Sequence, residues 1–229
     1  MSFNFLSLIP GVGEEYEHVA TYAAVSAGLI GVGLASKISM NKKGEAAVTP
    51  DGYISVQGIF EVITEFIKKN VEMVIGKHGK KYIPFFAAIF TFVFVNNMVG
   101  ILPGMTPATE QINTTLAMGT FMFLTYNFMG FKESGIGYLK HFWGTIWWLG
   151  PFMLILEFIS HFVRPLSLGL RLANVMTGDH TVIGIFTDLV PIALPIPFYL
   201  LGMFVCFVQA FVFTLLSMVY VALATAHDH

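Results

Sequence analysis

Leu168-Gly169-Leu170-Arg171-Leu172-Ala173-Asn174 decides how this chain folds, because it sets a permanent cation inside a segment that is otherwise almost wholly apolar. No acid is adjacent to Arg171, and arginine cannot shed its proton to escape an apolar environment. A charged side chain at the centre of a bilayer costs roughly 2.5 kcal/mol or more, so such residues face a bundle interior or a water path and carry function. The rest of the chain argues that a bilayer is its setting. Of 229 residues, 55% are hydrophobic and 11% charged, with 23 Phe and 12 Met, an apolar share above that of soluble domains. Every lysine lies at or before Lys140, whereas both arginines, Arg164 and Arg171, fall in the apolar C-terminal half.

A span needs about 20 mostly apolar residues. On that measure the reading is an all-α integral membrane protein with five membrane helices and one amphipathic surface helix. Residues 1–18 form an N-terminal segment outside and residues 19–36 the first membrane helix. Residues 37–81 are a cytoplasmic, lysine-rich segment, and residues 82–229 carry four membrane helices. The first span, Val19 to Ser36, is rich in Gly and Ala and resembles a helix that packs closely on another. In the lysine-rich segment a turn at Pro50-Asp51-Gly52 precedes Ile54 to Val74. There Ile59, Phe60, Ile63, Phe66, Ile67 and Val71 recur at helical spacing against Glu61, Glu65, Lys68, Lys69 and Glu72, the pattern of a helix lying on a membrane surface.

Further spans run from Tyr82 to Leu102, with Asn96 and Asn97 inside, and from Thr114 to Phe131. The connector Pro103 to Asn113 contains Glu110 and no base, and a short polar turn holds Lys132, Glu133 and Lys140. The long apolar segment Phe142 to Phe186 is interrupted by Glu157, His161, Arg164, Arg171, Asp179 and His180 and closed by Asp188 and Pro191. A last helix runs from Pro197 to Ala226 before the tail His227-Asp228-His229. Basic loops stay cytoplasmic, which places the N-terminus with Glu14, Glu15 and Glu17 outside and the C-terminus inside. Met1 to Val12 has neither a basic start nor a small-residue cleavage site, so the segment is expected to be retained.

Positions seven apart on a helix drift by only ~20°, so Glu157, Arg164, Arg171 and Gly178 form one slanting stripe, flanked by Asn174. His180, nine residues from Arg171, lies on the opposite side and ~13 Å along the axis, so the two cannot serve one partner group together. Blander readings stand beside these. Arg171 also reads as a snorkelling cation and Arg164 as an interfacial anchor. Glu157 and His161 read as buried structural groups, Asn97 as an interhelical hydrogen-bonding amide, and Asp179 and Asp188 as solvated caps. Cys206 reads as a packed small side chain and the terminal His227-Asp228-His229 as a solvated tail rather than a metal site, so neither a metal nor a cofactor is expected. The segment Phe142 to Phe186, ~67 Å long as a helix, exceeds twice the hydrocarbon thickness, so it and its successor are expected to form a strongly tilted hairpin with bends at Pro165 and Gly169.

A net charge of −2 and a pI near 6.4 exclude the basic footprint of a nucleic-acid binder. Phosphate-loop, zinc-protease and nucleophile-elbow motifs are absent, which argues against nucleotide or hydrolytic chemistry on this chain. A self-contained permease or channel whose arginine binds an anion is the alternative. The small number of spans and the lack of a repeat weigh against it.

The run Arg164-Pro165-Leu166-Ser167-Leu168-Gly169-Leu170-Arg171-Leu172, followed by Thr177-Gly178-Asp179-His180, resembles subunit a of the rotary F-type ATP synthases. Asn97 to Pro103, Pro107 with Asn113-Thr114-Thr115-Leu116, and Gln209-Ala210-Phe211-Val212-Phe213 are similar to other segments of that family, so the resemblance covers roughly Ile83 to Tyr220. It implies a stator lying against a ring of c subunits, each bearing one membrane carboxylate, with two offset aqueous half-channels. By that resemblance Arg171 is the stator arginine, Gln209 its neighbour across the hairpin, and Glu157 a half-channel carboxylate. His180 occupies a position where relatives have Glu or His. Asn174 departs from the pattern, because many relatives carry the amide one residue later, at the position of Val175. Gly202 departs too, standing where some relatives have a titratable partner for His180, so the outer relay passes to water, Asp179 or Asp188, with Asn97 and His161 as candidate channel lining. The implied partners are the c-ring, the b subunits of the peripheral stalk, the remainder of the synthase and membrane lipid. The setting is a bacterial plasma membrane, or alternatively an organellar inner membrane, with protons as the coupling ion.

Overall fold

The computed structural model describes residues 17–43, 56–102, 105, 107–135, 150–189 and 195–225. Glu14 and Glu15, the Pro50-Asp51-Gly52 turn, Lys140, residues 142–149, Pro191 and the His227-Asp228-His229 tail lie outside them. Among the described residues the chain is helical throughout: α1 (Glu17–Lys43), α2 (Val56–Val74), α3 (Ile83–Val99), α4 (Ile112–Ser134), α5 (Gly150–Leu189) and α6 (Pro195–Thr225), with 3-10 turns at Lys77–Tyr82 and Ala108–Glu110. The helices divide between two compact units, Met1–Ala108 and Thr109–His229.

In the first unit α2 has the amphipathic character its sequence period demands. Ile67 and Val71 are fully buried and Phe66 sits 6.0 Å from Phe90 of α3, while Glu61, Glu65, Lys68, Lys69 and Glu72 point outward. Apolar Ile59, Val62 and Met73 also remain exposed. The chain turns from α2 into α3 at Gly76, whose φ of 82° suits a residue without a Cβ, and Pro84 falls in the first turn of α3, where its missing N–H costs nothing. Helix α1 meets α3 through Tyr22 and Phe92, with ring centroids 5.3 Å apart. Its glycines do not make the close helix contact their composition suggests: a Cβ at Gly28, Gly31 or Gly33 would meet nothing within 4 Å.

In the second unit α4 runs antiparallel along α5. Glu110, just before α4, lies beside His180; Thr115 and Leu116 lie beside Gly169, Gly119 beside Pro165, and Tyr126 and Asn127 beside His161. The backbones touch at the centre of this crossing. A Cβ on Gly169 would lie 2.8 Å from the Thr115 carbonyl oxygen, and one on Gly119 would run into the Pro165 carbonyl. Gly169 thus serves close approach, and α5 continues as one 40-residue helix through both Pro165 and Gly169. Helix α6 returns antiparallel to α5: Phe198 stacks on Phe186 at 4.0 Å, Gly202 packs on Asp179, and Tyr220 lies beside Arg164.

Among the described residues four helical stretches are long and apolar enough to cross a membrane: His18–Ile38, Lys77–Val99, Phe152–Leu189 and Pro195–Thr225. Helix α4, at 23 residues, has the length but is diluted by Thr114, Thr115, Thr120, Thr125, Tyr126 and Asn127. Thr120 and Thr125 satisfy their hydroxyls within the helix, Thr120 donating to Leu116 O and Thr125 to Phe121 O, each at 2.8 Å. Phe152, Phe158, Phe162, Leu200 and Phe204 stand exposed on α5 and α6, as on a protein whose solvent is lipid.

Candidate functional site

Arg171 is exposed on α5 and, among the described residues, takes neither a hydrogen bond nor an ion pair. Its neighbours Leu172 and Ala173 are buried against the bundle, which turns the guanidinium outward. Asn174, one turn on, is exposed on the same side. The antiparallel register of α5 and α6 brings Gln209 to within about one turn of Arg171 along the axis. Gln209 is buried in the bundle, however, and no hydrogen bond joins the two.

Polar side chains gather at the two ends of the stretch centred on Arg171. Towards the start of α5, Arg164 Nη2 lies 3.4 Å from Glu157 Oε1, with the guanidinium 5.7 Å from the ring centre of Tyr220. These residues are one heptad apart on the Arg171 stripe, and the Glu157 side chain retains 44% of its exposure. The pairing replaces the picture of Arg164 as a lone interfacial anchor with that of a partner to Glu157, packed within cation–π range of an aromatic face.

His161, in the same turn, faces inward and is 6% exposed. Asn127 Nδ2 donates to Phe123 O at 2.7 Å, which leaves Asn127 Oδ1 to accept from His161 Nε2–H at 2.9 Å. His161 Nδ1 then accepts from the Tyr126 hydroxyl at 3.4 Å. Both ring nitrogens are engaged by α4, an arrangement that clamps the helices together and is suited to a neutral imidazole. His161→Ala is expected to lower the amount of intact complex, by roughly 1–3 kcal/mol of lost stability for a buried acceptor left unmatched, while the surviving complex keeps its ratio of protons to ATP. Normal complex levels with a changed pH dependence of transport would instead place His161 in the proton path.

At the other end His180 faces the start of α4. Its Nδ1 lies 3.5 Å from Glu110 Oε2, with side chains 18% and 31% exposed, and Thr177 Oγ1–H donates to the Glu110 carbonyl at 3.5 Å. Asp179 turns to α6 instead: a Cβ on Gly202 would stand 2.8 Å from its Oδ2. The lack of a side chain at Gly202 therefore makes room for the Asp179 carboxylate. Asp188 is exposed near the end of α5, and Cys206 is buried in α6. Asn97 is fully buried in α3, in the first unit. Glu110 is the participant that sequence reasoning missed; the available signal was its standing as the one charged residue of the connector between Pro103 and Asn113.

Comparison with known proteins bears directly on this geometry. The family model described as ATP synthase A chain matches residues 21–222. The chain belongs to that family. ATP synthase subunit a of Bdellovibrio bacteriovorus is 60% identical over 230 residues, covering 100% of both chains. ATP synthase subunit a 2 of Syntrophotalea carbinolica is 41% identical over 93% of this chain and 88% of its own, and ATP synthase subunit a of Geobacter sulfurreducens is 44% identical over 75% and 76%. The region matched to the ATP synthase A chain family contains Arg171 and both polar clusters. As a member of that family the chain is not a self-contained permease, which sets the rival reading aside.

Proposed function

We propose that this chain is the membrane stator of a rotary ATP synthase, forming two proton half-channels against a ring of c subunits and so coupling proton flow to rotation and ATP synthesis. One observation supports this above the others. Arg171 is exposed and unpaired between Glu157–Arg164 at one end of the helix and His180–Glu110–Asp179 at the other, and the two ends present their polar groups on different faces of α5. A cation with no anion beside it among the described residues calls for one from a neighbour, and the planar guanidinium fork matches a carboxylate. A ring carboxylate protonated through the His180 end stays neutral while it crosses lipid, then loses its proton towards Glu157 as it approaches Arg171. Arg171 repels a proton from passing directly between the channels.

The same reading takes α1, α3, α4, α5 and α6 as five membrane helices and α2 as a surface helix. The α5–α6 hairpin is strongly inclined against the ring, since ~60 Å of α5 exceeds an upright crossing. Residues 1–18 lie outside, residues 37–81 in the cytoplasm, and residues 82–229 form the channel region. Peripheral stalk b subunits and the remaining synthase subunits complete the assembly in a bacterial plasma membrane. Protons are the coupling ion, and nucleotide chemistry belongs to other subunits.

Glu157→Gln is expected to slow ATP-driven proton pumping in inverted membrane vesicles without making them leaky. His180→Ala is expected to slow it and to change its dependence on pH, because the variant lacks a side chain that can take up and release protons. Wild-type rates in both variants would remove the two end clusters from the proton path.

A further inference from the structure

We propose that Glu110 carries protons in the half-channel at the His180 end, exchanging a proton with the imidazole. This rests on the stator reading above and extends it to a residue outside the arginine helix and its hairpin partner. Helix α6 offers His180 no titratable partner, because Gly202 has no side chain and the space beside it is taken by Asp179. Asp179 itself is directed to α6 and Asp188 is exposed two turns further on. Among the described residues, Glu110 is the carboxylate within ion-pair distance of His180, at 3.5 Å. Both side chains are partly exposed, so the pair is open to the surroundings of the helices and is not sealed inside the bundle. The position is also held: the Thr177 hydroxyl, from the helical turn before His180, donates to the Glu110 backbone carbonyl. The preceding Thr109 is fully buried with its hydroxyl unmatched by any described residue, a further hydrogen-bonding group at the same turn.

The step balances with these two groups. A protonated Glu110 passes the proton on Oε2 to His180 Nδ1, leaving a carboxylate beside an imidazolium. The imidazolium releases the proton from Nε2 toward the ring, the neutral imidazole then moves its remaining proton from Nδ1 to Nε2 by exchange through water, and Glu110 is reprotonated from water, which restores the starting state. Supplying Glu110 from the connector before α4 makes the relay span two helices, so it requires the α4–α5 register to be intact.

The test uses the complete ATP synthase reconstituted in liposomes, with ΔpH-driven ATP synthesis and ATP-driven pumping as readouts and subunit content measured for every variant. Glu110→Gln keeps the size and hydrogen-bonding capacity of the side chain but cannot carry a proton, and is expected to slow transport about a hundredfold, the lower end of what a positioned proton-transfer group contributes. Exchanging the groups, Glu110→His together with His180→Glu, is expected to recover most of the rate lost in either single substitution. Unchanged transport in Glu110→Gln overturns the proposal. So does a loss that only tracks reduced assembly, or failure of the exchange to recover rate at normal assembly. Arg171→Ala measured alongside separates the two levels: if it abolishes synthesis while Glu110→Gln runs at the wild-type rate, only the role of Glu110 is lost. If Arg171→Ala still synthesises ATP, the stator reading falls with it.

Discussion

Arg171→Ala is expected to abolish proton-driven ATP synthesis while leaving the membrane permeable to protons. The guanidinium is exposed, has no partner among the described residues, and is equidistant, within a turn, from the polar groups at either end of the stretch centred on it. In the proposed stator, removing it takes away the positive charge that keeps protons from moving straight between the two clusters, and with it the partner that draws a proton off each ring carboxylate. Vesicles carrying the variant should assemble, fail to synthesise ATP, and dissipate an imposed pH gradient faster than wild type. Arg171→Lys should also fail to synthesise, since an ammonium is a compact point charge that lacks the planar fork and can lose its proton in a dry setting. Synthesis at normal rates in either variant would refute the assignment.

The second large effect is expected at the α4–α5 crossing. Gly119→Ala drives a methyl group into the Pro165 carbonyl, and Gly169→Ala drives one into the Thr115 carbonyl and the Leu116 backbone. The obstacles are main-chain atoms, which cannot step aside by changing rotamer, so the helices must separate. The cost should reach or pass the upper end of the ~1–3 kcal/mol typical of overpacking. Because the crossing sits between the His161 and His180 contacts, its opening should disturb both ends. The expected result is little or no intact complex on native gels of solubilised membranes. Normal amounts of active complex would mean that the helices pack with more slack than this register allows.

Much of this was legible in the sequence, for reasons that also mark where legibility ends. The α2 helix follows from its apolar period, and the long α5 from an apolar run that neither Pro165 nor Gly169 interrupts. That Arg171 and His180 face apart is simple helix geometry, and the structure keeps it. The contacts between helices were hidden, because they depend on register between segments far apart in sequence. Glu110 meets His180 across a separation of 70 residues, and His161 meets Asn127 across 34. Glycines mislead for a related reason: a missing side chain looks the same in sequence whether a neighbour presses on it, as at Gly119, or open space does, as at Gly31. Gly202 looked like the loss of a relay group, and only packing shows that Asp179 fills the space it leaves.

The contacts from His161 to His180 span nineteen residues of α5, ~28 Å of helix, close to the ~30 Å of a hydrocarbon core. Arg171 stands ten residues from one end of that stretch and nine from the other, so in the proposed arrangement it divides the layer that stretch crosses almost in half. Tilting the helix shortens both halves in the same proportion and leaves the division unchanged. A membrane potential is worth ~2.3 kcal/mol per elementary charge per 100 mV over the whole thickness. Each half-channel in the proposed arrangement therefore receives about half of it. Voltage then pushes protons onto the ring and pulls them off with nearly equal force, and neither entry nor exit alone becomes the electrically driven step.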